Sequence, residues 1–174
     1  MEANNLTITT LQNLFDYDLR KFTAAEVQLK RHLPEWINRS SSLKLKTILQ
    51  KYLDFVNEHI QKMESLLEQE EIISLNVHNR VMHAFIEEIT EKLINCTDSK
   101  IKDACLLAGI QTINLYKVSI YGTAAAFAKA LGMEKQASVF HEIEINEKQI
   151  DDRLSQLAEF EININARAPF VLPG

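Results

Sequence analysis

The chain has 174 residues, 46% of them hydrophobic and 25% charged, with a formal net charge of -5. That length suits one domain with a sizeable core, and that apolar content excludes wholesale disorder. The acidic balance disfavours nucleic acid as a partner, and no apolar run is long enough to span a bilayer.

With 4 Gly and 3 Pro, the chain has few breaks, which favours long helices over a turn-rich sandwich or barrel. The start, Met1-Glu2-Ala3-Asn4-Asn5, has neither the basic end nor the apolar stretch of a secretory signal. Cys96 and Cys105 make no CxxC pair and read as reduced thiols, which points to the cytoplasm.

Five helical segments follow in order. The first runs from about 9 to 32, with Thr7, Thr9 or Thr10 as N-cap, and Pro34 is expected to end or bend it. Its apolar stripe is Leu11, Phe15, Leu19, Phe22, Glu26, Leu29, Leu33. The run Ser40-Ser41-Ser42 is a loop that can cap the second helix, about 43–70, whose stripe is Leu45, Leu49, Tyr52, Val56, His59, Ile60, Met63, Leu67. A shorter third helix spans about 79–94, and its apolar residues Phe85 and Ile89 could form a docking face. The fourth spans about 101–131, stopped by Gly132, and the fifth about 134–160. A tail, 163–174, contains Pro169 and Pro173 and is expected to be non-helical. Together these predict a single all-α domain over residues 1–174, a four-helix bundle with one short extra helix. The long connection between the second and fourth helices would let them run parallel, as in ferritin-like bundles.

Glu26 is a carboxylate in the middle of an apolar stripe. It must be neutral, paired or bound to a cation, because burying an isolated charge is very costly. Glu147 stands in the same kind of position on the fifth helix, amid Phe140, Ile143, Ile150 and Leu154. Two inward carboxylates on separate helices suggest a polar core site of the kind used by di-metal bundle proteins.

Several stretches resemble the YciF/YciE-like ferritin-like stress-response family. Leu14-Phe15-Asp16-Tyr17-Asp18-Leu19-Arg20 with Ala25-Glu26-Val27-Gln28-Leu29 is similar to its opening LF-x-x-EL-R…AE-x-QL, and Leu33-Pro34 fits the LP that follows. Gln111 to Lys117 with Tyr121-Gly122-Thr123 resembles Q-x-V-EHYE…YGT, and Ala130-Leu131-Gly132 matches ALG. Glu147-Lys148 and Asp151 sit where the family has EEK-x-x-D. The resemblance spans Leu11 to Leu157. It implies a ferritin-like five-helix fold, a homodimer and a link to bacterial stress.

The same resemblance supplies the candidate metal ligands, and this chain departs from most of them. Glu26 is kept. The family's HLEE reads Tyr52-Leu53-Asp54-Phe55, so Tyr52 replaces the His and Phe55 takes the better-placed acid's position, while Asp54 points away. EHYE reads Asn114-Leu115-Tyr116-Lys117, which loses both acids from the stripe Leu107, Ile110, Asn114, Lys117, Tyr121. On the fifth helix Asn146 replaces the first acid and Glu147 remains. A remnant set would be Glu26, His59, Glu144 and Glu147, with Asp151 at the core edge. A di-metal site needs about four carboxylates, often with two imidazoles. The expected reading is therefore a site without cofactor, in which Lys117 pairs with Glu26 and Glu147. Iron or another divalent metal is expected only if the site is retained.

His78, His83 and His141 read as surface residues, and Tyr116 and Tyr121 as packing anchors through their hydroxyls. No nucleophile elbow, phosphate loop or zinc-spaced Cys/His set is present. The function expected is that of a non-catalytic ferritin-like protein. The alternative is a di-iron or mononuclear metalloprotein with oxidase or iron-handling activity.

Overall fold

The computed structural model describes residues 7–69 and 77–167. Five helices carry the fold: α1 (Leu11–Arg39), α2 (Leu43–Gln69), α3 (Arg80–Asn95), α4 (Ser99–Ala130) and α5 (Glu134–Leu157). No strand occurs among the described residues. No helix among them is long and apolar enough to cross a membrane.

The starts of α1 to α4 are each set by a side chain that accepts an otherwise orphaned backbone N–H, whereas α5 begins after Met133 without a side-chain cap. Thr10 Oγ1 accepts from Asn13 N at 3.1 Å, and Ser42 Oγ from Leu45 N at 3.2 Å. Asn79 Oδ1 accepts from Met82 N at 2.9 Å. Asp98 Oδ1 accepts from both Lys100 N and Ile101 N, which begins α4 two residues before the predicted position. Gly132, at φ 72°, takes the left-handed position that ends α4.

Two expectations are corrected. Pro34 does not end α1, which continues to Arg39. A proline inside a helix costs about 3 kcal/mol. Leu33 and Trp36 lie beyond the expected end and are buried. Burying an indole removes roughly 200 Å² from water, worth about 5 kcal/mol, so packing outweighs the proline. The second correction is at the C-terminal end. The helical path passes through a wide π-helical turn, Ala158–Ile162, and an α-helical turn, Asn163–Asn165, so the start of the expected tail is helical. Ala158 and Ile162 are buried, which holds the turn on the bundle. Pro169 and Pro173 lie outside the described residues.

The bundle packs α1 against α2 and α4, and α5 against α2 and α4. Ser41 at the α1–α2 corner meets Asp103 near the start of α4, and Lys44 pairs with Glu161 beyond α5. One end of the bundle thus holds the end of α1, the starts of α2 and α4, and the chain following α5. It follows that α2 and α4 run parallel and that neighbouring helices of the bundle are antiparallel. The short α3 packs outside, on α4 and α1. Its N-cap residue Asn79 donates to Lys21 O and Tyr116 Oη, and Gln28 bonds its backbone.

The apolar interior is in two parts. One is built around Leu29, Leu33, Trp36, Leu45, Leu49 and Leu154. The other is built around Phe15, Leu19, Met63, Tyr121 and Phe140. Between them, at mid-height, lies a layer of buried polar side chains.

Candidate functional site

Every long helix contributes to this layer. Glu26 comes from α1, His59 from α2, Lys117 and Asn114 from α4, and Glu147 from α5, and all five are fully buried. Each follows from the helical period, because it shares a stripe with core residues three or four positions away.

Lys117 Nζ sits 3.0 Å from Glu26 Oε2 and 2.5 Å from Glu147 Oε1. His59 Nδ1 lies 3.5 Å from Glu26 Oε1 and 3.5 Å from Glu147 Oε1. Tyr121 Oη donates to Glu26 Oε1 at 2.5 Å. Tyr52 Oη donates to Glu147 Oε2 at 2.8 Å, and Asn114 Nδ2 donates to the same oxygen at 2.7 Å and to Glu147 O at 2.9 Å. Lys117 Nζ also lies 4.7 Å from the centroid of the Tyr52 ring. The four atoms that face each other most closely, Glu26 Oε2, Glu147 Oε1, His59 Nδ1 and Lys117 Nζ, make no well-aligned hydrogen bond. They are paired by charge and proximity.

The electrostatics follow from this geometry. Burial alone would raise the Glu26 carboxyl, but Lys117, His59 and the Tyr121 hydroxyl reverse that and hold it at about 2. Burial raises Glu147, and the neighbouring Glu26 charge adds to the rise against the pull of Lys117. Burial works against a charged Lys117, yet Glu147 and Glu26 together raise it above its ordinary value. Tyr52 and Tyr121 are held well above the ordinary phenol value, first by burial and then by the carboxylates, so both remain neutral donors.

The remaining candidates fall at the edge or outside. Phe55 is buried at the rim, its ring stacked 6.1 Å from that of His59, while Asp54 is exposed. Asn146 is half-buried, with Nδ2 3.4 Å from His59 Nε2. An amide donor there would leave Nδ1–H to face the carboxylates. Glu144 is not brought to the layer. It bonds Lys148 at 2.5 Å and faces His141 at 3.5 Å. Three residues before Glu147 is about 300° of helix, so Glu144 is turned roughly 60° toward the surface. Asp151 stays half-buried at the rim. Glu26, His59 and Glu147 each offer a ligand atom within 4.8 Å of the others, a set that could hold one metal ion.

The candidate docking face on α3 is largely covered. Ile89 is 2% exposed against α4, and Phe85 is half-buried with its ring edge-on to Tyr116. His78, His83 and His141 are exposed.

One partner of the carboxylates was not assigned from the sequence as a member of the site. Tyr121 lies four residues after Lys117 on the same stripe, which is the signal that could have marked it. Asp103 is the other overlooked group. It is buried at the bundle end and accepts from Ser40 Oγ (3.0 Å), Ser41 N (2.8 Å), Ser41 Oγ (2.5 Å) and Ser42 N (2.9 Å). Its place on the stripe Asp103, Leu106, Leu107, Ile110 was legible, but its partners lie some sixty residues earlier.

Comparison with known proteins gives a consistent result. A family model, "Domain of unknown function (DUF892)", matches residues 10–167. The chain is 28% identical over 162 residues to Protein YciF of Escherichia coli (strain K12), covering 92% of this chain and 98% of that protein. The crystal structure of the E. coli stress protein YciF matches with a TM-score of 0.83, over 90% of this chain and 99% of that one. YcfI from Rhodopseudomonas palustris matches with a TM-score of 0.82 at 22% identity, over 89% and 98%, a likeness that speaks to the fold alone.

Proposed function

We propose a function for this protein from one premise: the chain belongs to the DUF892 family. It is a non-catalytic ferritin-like protein of the bacterial stress-response type, cytoplasmic and homodimeric, acting through structure or binding. Its di-metal centre has been replaced by an internal ion pair. The observation that carries this reading is Lys117 Nζ, which contacts both Glu26 and Glu147 at the centre of the bundle. Its relative YciF is a stress protein, which supports the physiological part.

The donor set differs from that of a di-metal centre. Such a centre in a bundle uses about four carboxylates and two imidazoles. Here two carboxylates and one imidazole converge, and an ammonium lies where cations would have to sit. Phe55 and Asn114 occupy two further positions where acids would be needed. These residues do not fit two metal ions. They fit a charge-compensated core, because two carboxylates and one ammonium need only one more proton to be neutral.

A second reading is favoured by one observation. Glu26, His59 and Glu147 could hold a single divalent ion, iron or another, if Lys117 were displaced.

Metal analysis of protein purified without chelators tests both. Trace metal is expected. About one ion per chain would favour the second reading, and about two would overturn the first. A variant gives an independent check. Phe55→Glu, Asn114→Glu and Lys117→Glu together place five carboxylates near His59. That protein should be unstable in chelator and markedly stabilised by iron, manganese or zinc, because a ligand bound only to the native state stabilises it by mass action. A melting temperature indifferent to metal would overturn the descent of this layer from a metal centre.

A further inference from the structure

A second cluster lies away from the buried layer. Cys96 follows the last turn of α3, its N–H bonded to Lys92 O at 3.1 Å, and Cys105 stands near the start of α4. The intervening loop, 96–98, is short. Both thiols are half-buried and free, and both line one groove of about 500 Å³ between α3 and α4. Phe85, Ile89 and Ala108 give the groove an apolar wall, and Glu88 and Lys92 pair above it at 2.6 Å. Ile89 packs directly on Gly109, where an added Cβ would meet its Cγ1 at 2.4 Å. Packing therefore fixes the spacing of the two helices at this point. Burial holds the Cys105 thiol up, and the neighbouring Cys96 thiol adds to the rise.

We propose that Cys96 and Cys105 form a redox-active dithiol that a small organic hydroperoxide, entering the apolar groove, oxidises to a reversible intramolecular disulfide. The groove supports the organic oxidant, since it offers apolar surface for a hydrocarbon substituent. Cys96 stands at the corner after α3 and Cys105 lies inside α4, where burial raises its thiol, so Cys96 is assigned the first attack and Cys105 the second. The Cys96 thiolate attacks the terminal peroxide oxygen. An S–O bond forms, the O–O bond breaks, and the leaving alkoxide takes a proton to become an alcohol. The Cys105 thiol then attacks the sulfenic sulfur; an S–S bond forms and water leaves. Two thiols and one hydroperoxide give one disulfide, one alcohol and one water. A low-molecular-weight thiol reverses the reaction by exchange.

The test uses the full chain, dilute and reduced, with cumene hydroperoxide or hydrogen peroxide. The expected product is a monomeric chain lighter by two hydrogens, with both thiols lost and a Cys96–Cys105 peptide in a non-reducing digest. Cys105→Ser should stop at a sulfenic acid on Cys96 that dimedone traps. Cys96→Ser should react at least tenfold more slowly, and cumene hydroperoxide should outpace hydrogen peroxide at least tenfold. Phenylarsine oxide, which bridges neighbouring thiols, gives a check on the unmodified chain; one equivalent should consume both. Disulfides only between chains, independent over-oxidation of each thiol, or no uptake of the arsenical would overturn the pairing. Equal rates with the two peroxides would overturn the role of the groove.

Discussion

Replacing Lys117 by methionine removes the buried cation and keeps an apolar stem in its place. Glu26 then loses the largest influence that lowers it, and burial takes over. Glu147, already raised, rises further. At least one of the two must bind a proton for the bundle to stay closed. Holding one carboxyl of ordinary value 4.5 protonated at pH 7 costs about 3 kcal/mol, at roughly 1.4 kcal/mol per unit. A chain of this size loses about 2–4 °C of melting temperature per kcal/mol, so the drop should be about 10 °C at pH 7. The part of the pH dependence that comes from Glu26 should change sign. In the parent, Glu26 is depressed, so its contribution is present above 4.5 and lost as pH falls toward about 2. In the variant the carboxyls are raised, so their contribution is present below 4.5 and lost as pH rises. Thermal melts of both proteins between pH 4 and pH 8 should therefore converge near the acid end and separate toward neutrality. Lys117→Glu, which adds a third anion, should be less stable than Lys117→Met in chelator. A methionine variant that matched the parent across this range would refute the pairing argument.

Other substitutions probe the supports of the site. Tyr121→Phe removes the hydroxyl donated to Glu26, at a cost of about 1–3 kcal/mol. It also raises Glu26, so acid unfolding should begin at higher pH than in the parent; an unchanged acid limb would count against it. Gly109→Ala drives a methyl into Ile89 and should cost about 1–3 kcal/mol. Combining it with Ile89→Ala should cost less than the sum of the two single changes, as chemical denaturation would show; strict additivity would mean that the contact is not the cause. Asp103→Ala leaves the Ser41 and Ser42 amides and two hydroxyls without their acceptor. A loss of about 2–4 kcal/mol is expected, with earlier exchange of the α1–α2 corner amides by hydrogen–deuterium exchange. Protection equal to the parent's would show that another group holds that corner.

What could be read from the sequence depended on period. Glu26, His59, Asn114, Lys117 and Glu147 all lie three or four residues from core positions, and a helix carries such residues to one face whatever it packs against. That logic does not say which atoms meet. Tyr121 reaches Glu26 and Tyr52 reaches Glu147 because of the longitudinal offset between helices, which side-chain packing sets and a single chain's pattern does not display. Nor does period separate core from rim finely. Glu144 and Glu147 differ by about 60° of rotation, and only one of them is enclosed. Pro34 stays inside α1 against the local rule because Trp36, two residues on, supplies the larger energy. Asp103 and its serines are joined only in three dimensions.

The make-up of α4 gives the polar layer a further consequence. Apolar side chains occupy nearly every side of this helix: Leu106, Ile110 and Ile113 are buried, yet Leu115 is 53% exposed and Ile101 41%. Hydrophobic burial alone would distinguish poorly between neighbouring rotations of such a helix about its axis. Rolling α4 by one position swings Lys117 through about 100°, away from both carboxylates, while much of the apolar contact could be rebuilt. Three buried charges would then be stranded, at a cost of several kcal/mol each. The ionic contacts thus act as an orientation key, selecting one azimuth for the most ambiguous helix in the bundle.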